Sequence, residues 1–353
     1  MKHLMAALVL LASQTALAQH VPFELPGFPD YPPPQTKLVS DDTGEIHFAS
    51  ASPFDLDVIL SGATATPTTG LGYLTLPQGI ERPAPAMIIL PGSGGIQPGR
   101  EDEYAAFLND LGIAAFVIEY YEPRGLTKDI DYMIRTSAVT EFDLITDAYA
   151  ALELLSTYPG IDGARIGVVG FSYGGMASRL AMDARIHRAL APAHPGFKVH
   201  IDVYGPCFQV LGTSATNGAP LLTLRGTEDA SNDLDACQSR EDELRAIGVE
   251  VTAIVYPGAG HAWENEAPRT FREGAPYLQG CEWRYDEAGV PHVDGQALFN
   301  YPNSASRTQR IAARFTSGAQ LQDCVKFGYI VGRDEAVRAR AFEDASTFLR
   351  EHL

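Results

Sequence analysis

The chain has 353 residues and a formal net charge of −18 at pH 7. An acidic balance of this size argues against nucleic acid as a partner and against long-range attraction of strongly anionic substrates. The apolar content, 45% of residues, is ample for a packed core.

The first 18 residues have the pattern of a secretory signal peptide. Lys2 gives a basic start, an apolar core runs from residue 4 to residue 12, and Ala16-Leu17-Ala18 offers a small-residue cleavage site. The apolar core is shorter than the roughly 18 residues that a membrane span needs. We predict a periplasmic or secreted chain that starts near Gln19. The alternative is an uncleaved N-terminal anchor.

A proline-rich arm is predicted over residues 19–37, because its prolines fix φ and lack the N–H donors that helices and central strands require. Residues 38–353 are expected to form a single domain. Within it, residues 45–48, 54–60 and 71–76 alternate between apolar and polar side chains, and turn residues separate them. This alternation predicts three strands at an antiparallel edge.

From residue 85 onward, buried apolar runs alternate with amphipathic segments. The runs are residues 86–90, 113–118, 166–169, 199–203, 221–224 and 249–255. Such runs are typical of strands that are buried on both faces. Thr140 and Asp143 resemble a capping box before a helix that continues to Leu155, and a last helix is predicted over residues 334–353. The pattern predicts an α/β fold with a mainly parallel, doubly wound sheet.

Two stretches, residues 206–218 and about 262–330, fit no sheet element. They are rich in Gly, Asn, Pro and Ser, and the second is too long for a plain connection. We interpret them as cysteine-stapled loops near the mouth of the substrate site. Three pairings are possible for the four cysteines, and their spacing predicts no metal site. The cysteines are Cys207, Cys237, Cys281 and Cys324.

Candidate catalytic residues follow the apolar runs, and the carboxyl ends of parallel strands are where ligands gather. Ser172 lies in a GxSxG pentapeptide between an apolar run and a small-residue helix, which predicts a nucleophile on a sharp turn. Asp229 and His261 follow the runs at 221–224 and 249–255. We expect Ser172 to attack a carbonyl, His261 to transfer its proton and Asp229 to orient the imidazole.

Other assignments remain open for all three positions, and for His261 the alternative is a solvated residue of a Gly-rich loop. Ser172 would otherwise cap the following helix. For the acid, Glu228, Asp233 and Asp235 lie on the same loop as Asp229.

Further candidates surround this triad. The backbone N–H groups of Tyr173 and of Ser93 or Gly94 are predicted to hold the oxyanion, although residues 92–95 also fit an ordinary tight turn. Arg124 is a candidate for binding a substrate carboxylate, and the alternative is an ion pair that braces its loop. Tyr121 and Trp263 are candidates for lining the substrate pocket, and the alternative for both is the core.

Together these motifs resemble the dienelactone hydrolase family of α/β-hydrolases, in its exported, serine-nucleophile branch. The resemblance covers roughly residues 85–265 and implies the α/β-hydrolase fold. It also implies hydrolysis of a small-molecule ester or lactone through an acyl-enzyme, with no metal or organic cofactor. The best-known members have cysteine where this chain has Ser172, and Pro91 stands where glycine or histidine is common. The matching segments are residues 91–95, 123–125, 170–175, 226–229 and 256–261.

We expect Cys207 to pair with Cys237, because both flank the strand that ends at Arg225, and Cys281 with Cys324 to close the long loop. Two other functions stay open. One is a peptidase or acyltransferase, because the same acyl-enzyme forms from an amide or transfers to another alcohol. The other is a catalytically silent binding protein that keeps the fold.

Overall fold

The structure is a computed structural model that describes residues 24–79, 83–299, 301–302, 304–317 and 320–353. The predicted signal peptide lies outside the described residues. The described part of the arm, residues 24–37, contains neither helix nor strand, and a single bridge joins its Gln35 to Phe48.

Strands and helices alternate through most of the described chain. The strands are β1 (Gly44–Ser52), β2 (Thr66–Thr75), β3 (Ala84–Leu90), β4 (Ala114–Glu119), β5 (Ile161–Phe171), β6 (His200–Val203), β7 (Gln209–Val210), β8 (Leu221–Gly226), β9 (Val251–Tyr256), β10 (Thr270–Leu278), β11 (Trp283–Tyr285), β12 (Pro291–Val293), β13 (Gln296–Ala297) and β14 (Val325–Val331). The helices are α1 (Leu56–Ser61), α2 (Glu101–Asp110), α3 (Tyr132–Ala138), α4 (Glu141–Leu155), α5 (Tyr173–Leu180), α6 (Ala184–Leu190), α7 (Leu234–Ala246), α8 (Arg307–Thr316) and α9 (Glu335–His352), with a single 3₁₀ turn at Glu122–Arg124.

The central sheet has the strand order β1-β2-β4-β3-β5-β6-β8-β9. The strands from β4 to β9 in this order run parallel, and at one edge β2 pairs antiparallel with β4 and β1 pairs antiparallel with β2. Consecutive residues of β3, Ile88 and Ile89, pack into different apolar clusters, one shared with α4 and α5 and the other with α2 and α9. Helices therefore cover both faces of the sheet. The predicted doubly wound, mainly parallel sheet with an antiparallel N-terminal edge is confirmed.

The prediction of a strand over residues 54–60 was wrong, because residues 56–61 form α1. Asp55 and Asp57 alternate with apolar side chains and so imitate the exposed face of a strand. Both carboxylates are instead buried, and Arg310 of α8 contacts them at 2.9 and 2.8 Å. Their partner lies more than 250 positions away along the chain, where local periodicity gives no signal.

The stretch of residues 262–330 is not a plain loop. It contains α8 and five short strands, of which β10 and β14 form a two-stranded ribbon, and β11 to β13 join β7 in a second small sheet. The ribbon has a register shift between Arg272 and Pro276. The expectation that the two stretches lack sheet elements was therefore wrong, because β7 lies in the first and β10 to β14 follow in the second. The register shift interrupts the alternation by which β10 could have been predicted from the sequence.

Two disulfides link Cys207 to Cys237 and Cys281 to Cys324, as expected, with Cα–Cα distances of 5.0 and 5.5 Å. Bonds of this kind form and persist in oxidising compartments. Within the described ranges, no helix combines the length and the apolar character that crossing a membrane requires.

Candidate active site

Ser172 occupies a strained turn between β5 and α5. Its φ of +54° and ψ of −116° lie in a region that residues with a side chain rarely adopt. A Cβ at Gly170 would lie 2.0 Å from the carbonyl oxygen of Gly174, and a Cβ at Gly174 would lie 2.1 Å from the carbonyl oxygen of Leu90. The close crossing of strand and helix therefore requires glycine at both positions, which explains the pentapeptide.

Ser172, His261 and Asp229 are joined in one chain of hydrogen bonds. His261 Nε2 lies 2.9 Å from Ser172 Oγ, and His261 Nδ1 lies 2.6 Å from Asp229 Oδ2. These distances fall within the range in which a base activates a hydroxyl nucleophile. Asp229 and His261 are buried, whereas Ser172 is partly exposed. The fold thus brings together three side chains from the ends of β5, β8 and β9.

The loop between β8 and α7 fixes the carboxylate of Asp229. The backbone N–H and the hydroxyl of Ser231 donate to its Oδ1 at 3.0 and 2.5 Å, and the amide of Asn232 donates to its Oδ2 at 2.9 Å. Sequence reasoning missed both residues, although they lie on the same short loop. Their hydrogen bonds orient the carboxylate toward the imidazole.

The other acids of this loop take different positions. Glu228 pairs with Arg269 at the surface. Asp233 caps α7 by accepting a hydrogen bond from the N–H of Ala236, and Asp235 lies in the first turn of that helix. Of the four acids considered from the sequence, Asp229 is the one that contacts His261.

The inserted ribbon holds the backbone of His261. The N–H of His261 donates to the carbonyl of Ile330 at 2.7 Å, and the N–H of Gly332 donates to the carbonyl of His261 at 2.9 Å. The rings of Tyr329 and Tyr204 lie 5.4 and 4.6 Å from the imidazole centroid. Residues 257–265, here called the histidine loop, are thus attached to β14 as well as to β9, a connection that no sequence motif indicates.

Glu264 is a buried acid close to His261. The Tyr204 hydroxyl donates to its Oε2 at 2.7 Å. Burial raises the pKa of Glu264 to about 7, an effect that the hydrogen bond from Tyr204 and the charge of Arg100 only partly offset. The fold thus buries a second carboxyl group near His261, and its pKa is raised because burial disfavours the charged form. Its position three residues after His261 was the available sequence signal.

A cleft of about 660 Å³ opens above Ser172 and His261. In the part of the chain that the structure describes, no group accepts a hydrogen bond from the backbone N–H of Ser93, Gly94 or Tyr173. These are the N–H groups that the sequence suggested as oxyanion donors, and Ser93 and Gly94 line the cleft. The other lining residues come from the segment between β3 and α2, from α3, from the histidine loop and from the ribbon: Gly92, Gln97, Arg100, Tyr132, Arg135, Ala262, Asn265, Arg272, Gly274, Ala275, Pro276, Tyr329 and Val331.

Two arginines of the cleft, Arg135 and Arg272, form no ion pair with any described residue. Arg135 is 9% exposed, its Nε has no hydrogen-bond partner, and its guanidinium lies 5.0 Å from the Tyr121 ring centroid. Arg272 lies on β10 opposite Tyr329. The third arginine of the cleft, Arg100, pairs with its neighbour Glu101. Arg135 and Arg272 thus bring positive charge without an acidic partner to the cleft.

The structure contradicts the three predicted substrate-binding side chains. Arg124 is 1% exposed and pairs with Asp147 at 2.8 Å, which is the loop-bracing alternative. Trp263 is fully buried in the core, and Tyr121 is 3% exposed, with its hydroxyl turned to the carbonyl of Ser93. None of the three lines the cleft. All three residues follow strands of the central sheet, as the sequence predicted, but their side chains are buried in the core and do not reach the cleft.

Arg124→Met is expected to lower the free energy of unfolding by about 3 to 5 kcal/mol, because it leaves the buried Asp147 carboxylate without its cation. Guanidinium chloride titration measures the change. The control is Arg165→Met, which breaks a partly exposed pair with Asp162 and should cost less than about 1 kcal/mol. Unchanged stability of Arg124→Met, with a raised KM for a carboxylate-bearing ester, would restore Arg124 as a substrate ligand.

A model of the dienelactone hydrolase family matches residues 71–290, more than half of the chain. The chain belongs to the dienelactone hydrolase family. Membership supports a hydrolase of carboxylic esters or lactones and confirms the predicted α/β-hydrolase fold.

Two relatives carry the name "Putative carboxymethylenebutenolidase". The protein from Escherichia coli is 25% identical over 226 residues, which are 59% of this chain and 79% of the relative. The protein from Methylorubrum extorquens is 25% identical over 255 residues, which are 67% and 79% of the two chains. A crystal structure of a "Putative Dienelactone Hydrolase" from Klebsiella pneumoniae is 22% identical, covers 62% of this chain and 88% of its own, and has a TM-score of 0.46.

Proposed function

We propose that this family member hydrolyses carboxylic esters or lactones with Ser172 as nucleophile, His261 as proton carrier and Asp229 as the group that orients the imidazole. One observation carries the proposal. The imidazole lies within hydrogen-bond distance of both the Ser172 hydroxyl and the Asp229 carboxylate, at the wall of an open cleft.

The proposed reaction has two half-reactions. Ser172 Oγ bonds to the carbonyl carbon, and its proton passes to His261 Nε2. The tetrahedral intermediate then breaks its ester C–O bond, and the proton moves from His261 to the leaving alkoxide. In the second half, a water molecule gives a proton to His261 and attacks the acyl carbon. The bond between that carbon and Ser172 Oγ then breaks, His261 returns the proton to Ser172 Oγ, and the acid leaves. In a lactone the leaving alkoxide stays attached to the acyl chain.

The oxyanion is proposed to accept hydrogen bonds from the N–H of Tyr173 and from the N–H of Ser93 or Gly94. Supporting this assignment, these N–H groups have no acceptor among the described residues, and Ser93 and Gly94 line the same cleft as Ser172. Donors held in place before the reaction stabilise a developing charge without further reorganisation.

The proposed substrate carries a carboxylate beside its ester bond. Arg135 and Arg272 support this, because a cation that faces a cleft without an acidic partner favours an anionic ligand. The names of the relatives point the same way, since a carboxymethylenebutenolide contains a carboxyl group next to a lactone. We therefore assign the role of binding the substrate carboxylate, which the sequence suggested for Arg124, to Arg135 and Arg272 instead.

Arg272→Gln is expected to lower kcat/KM for an anionic ester, p-nitrophenyl hydrogen glutarate, by about tenfold, while kcat/KM for neutral p-nitrophenyl butyrate stays unchanged. Initial rates on both esters measure the ratio. Arg188→Gln, which removes an exposed arginine on α6, should leave both rates unchanged. An equal loss on both esters, or no loss on either, would show that Arg272 does not recognise the carboxylate.

Product analysis with ester and peptide substrates, in the presence and absence of a competing alcohol, tests the reaction type. Hydrolysis should predominate, with free acid as the product of ester cleavage. Peptide cleavage at comparable rates would favour the peptidase alternative, and transfer of the acyl group to the alcohol would favour the acyltransferase. No turnover of any ester, together with no labelling of Ser172 by a fluorophosphonate, would favour a silent binding protein.

Export is part of the proposal. The basic, apolar and small-residue segments within residues 1–18 support it, and so do the two disulfides. Intact-mass measurement on the processed protein should give an N-terminus near Gln19, and a mass that includes residues 1–18 would contradict cleavage.

A further inference from the structure

Residues 92–95, here called the oxyanion loop, have every carbonyl oxygen occupied by a hydrogen bond. The Tyr120 hydroxyl donates to the carbonyl of Gly92 at 2.8 Å, and the Tyr121 hydroxyl donates to the carbonyl of Ser93 at 2.8 Å. The remaining two carbonyls, of Gly94 and Gly95, accept from the side chains of Gln97 and Arg100 at 2.8 and 2.9 Å. Each of the four peptide planes is therefore held by a side chain outside the loop.

The first two of these planes contain the proposed oxyanion donors. The carbonyl of Gly92 and the N–H of Ser93 belong to one peptide unit, and the carbonyl of Ser93 and the N–H of Gly94 belong to the next. In a planar trans peptide, the C=O and N–H bonds point in opposite directions. A hydroxyl that fixes the direction of the carbonyl from behind the loop therefore fixes the direction of the N–H on the other side.

We propose that Tyr120 and Tyr121 are positioning residues, whose hydroxyls hold the N–H groups of Ser93 and Gly94 toward the carbonyl oxygen of the substrate. The inference rests on the proposed function, because it assumes that the oxyanion forms at Ser172. It adds two positioning residues to that reaction. Neither tyrosine lines the cleft, so neither touches the substrate.

Both tyrosines are rigidly held, as a positioning role requires. Tyr120 is fully buried, and the two rings lie 4.2 Å apart between centroids. Arg124 donates to the backbone carbonyl of Tyr120 at 2.8 Å, and the Arg135 guanidinium covers the Tyr121 ring. The buried pair of Arg124 and Asp147 thus fixes the turn that carries both hydroxyls.

The hydroxyls also stay protonated at working pH. Burial raises the pKa of Tyr121 well above its usual value, and burial does the same for Tyr120. Each phenol therefore remains a hydrogen-bond donor. Within the loop, the N–H of Gly95 donates to the carbonyl of Gly92 at 2.9 Å. Three of the four residues are glycine and Gly95 has a φ of +74°, so the side-chain hydrogen bonds restrain a backbone that is otherwise permissive.

Tyr121→Phe tests the inference, because it removes one hydroxyl and keeps the ring. We expect kcat/KM for an oxygen ester to fall about tenfold, since the Gly94 N–H loses its fixed direction without being removed. Affinity for a boronic acid, which forms a tetrahedral adduct with an anionic oxygen, should fall by about the same factor. For the matching thionoester, whose sulfur accepts hydrogen bonds weakly, the loss should be smaller than about threefold.

Tyr149→Phe is the matched control. Its buried hydroxyl also donates to a backbone carbonyl, that of Ala181 at 2.7 Å, but it lies on α4 outside the cleft. This variant should leave all three readouts unchanged. Equal losses on the oxygen ester and the thionoester, or no loss on either, would overturn the positioning role.

A second variant keeps the test decisive if Tyr121→Phe does not fold. Tyr120→Phe removes the hydroxyl that donates to the Gly92 carbonyl. It should lower kcat/KM for the oxygen ester more than for the thionoester, because the N–H of Ser93 loses its fixed direction. Wild-type protein without esterase activity would instead refute the proposed function, so the two failures are distinguishable.

Discussion

Ser172→Ala is expected to lower kcat for p-nitrophenyl butyrate by about 10⁴-fold or more, because the variant has no atom that can form the acyl bond. In the proposed mechanism His261 and Asp229 act only through the Ser172 hydroxyl, which lies 2.9 Å from His261 Nε2, so they are not expected to compensate. The midpoint of thermal unfolding should change by no more than a few degrees, because the backbone of the turn needs no hydroxyl. Stopped assays with high enzyme concentration measure the residual rate.

Ser178→Ala is the control for this loss. Ser178 lies on α5, the helix that Ser172 precedes, and it is fully buried, but it does not line the cleft. Its replacement should retain nearly all activity. If Ser172→Ala keeps more than a few per cent of the wild-type rate, Ser172 is not the nucleophile.

Asp229→Asn is expected to lower kcat by about 10⁴-fold with a much smaller effect on KM. The carboxylate accepts a hydrogen bond from His261 Nδ1 and thereby leaves Nε2 free to accept the proton of Ser172. An amide that turns its NH₂ group toward Nδ1 would favour the opposite tautomer of the imidazole. It would also lose at least one of the donors from Ser231 and Asn232 that orient this side chain.

Asp233→Asn provides a matched control on the same loop. Asp233 caps α7, and asparagine is an equally good cap, so both stability and activity should remain close to wild type. Glu228→Gln removes the surface pair with Arg269 and should also retain activity. A loss of 10³-fold or more in either control, with an active Asp229→Asn variant, would move the acid to another position on the loop.

The parts of the fold that the sequence predicted correctly are those with a local cause. Continuous apolar runs allowed β3 to β6, β8 and β9 to be predicted within a few residues, although most residues of the edge strand β9 are not buried. The capping box at Thr140 is also local, and the structure contains both of its reciprocal hydrogen bonds. The three triad candidates follow strand ends, which a parallel sheet gathers at one edge.

The parts that were missed depend on contacts between distant segments. Arg124 follows a strand, as the triad residues do, but its side chain is buried and pairs with Asp147 of α4. Arg135 and Arg272 belong to no motif, and only the folding of α3 and the ribbon over the cleft brings them to the site. The single domain over residues 38–353 stays a prediction.

The central claim is that Ser172 is the nucleophile, and its most direct test is peptide mass mapping after reaction with a fluorophosphonate. This reagent phosphonylates a serine hydroxyl that a neighbouring base activates, which is the role proposed for His261. We predict one phosphonyl group per chain, attached to Ser172, with loss of esterase activity in proportion to labelling, and no labelling of His261→Ala on the same timescale. A protein that loses its esterase activity with the label on any other residue would contradict the account.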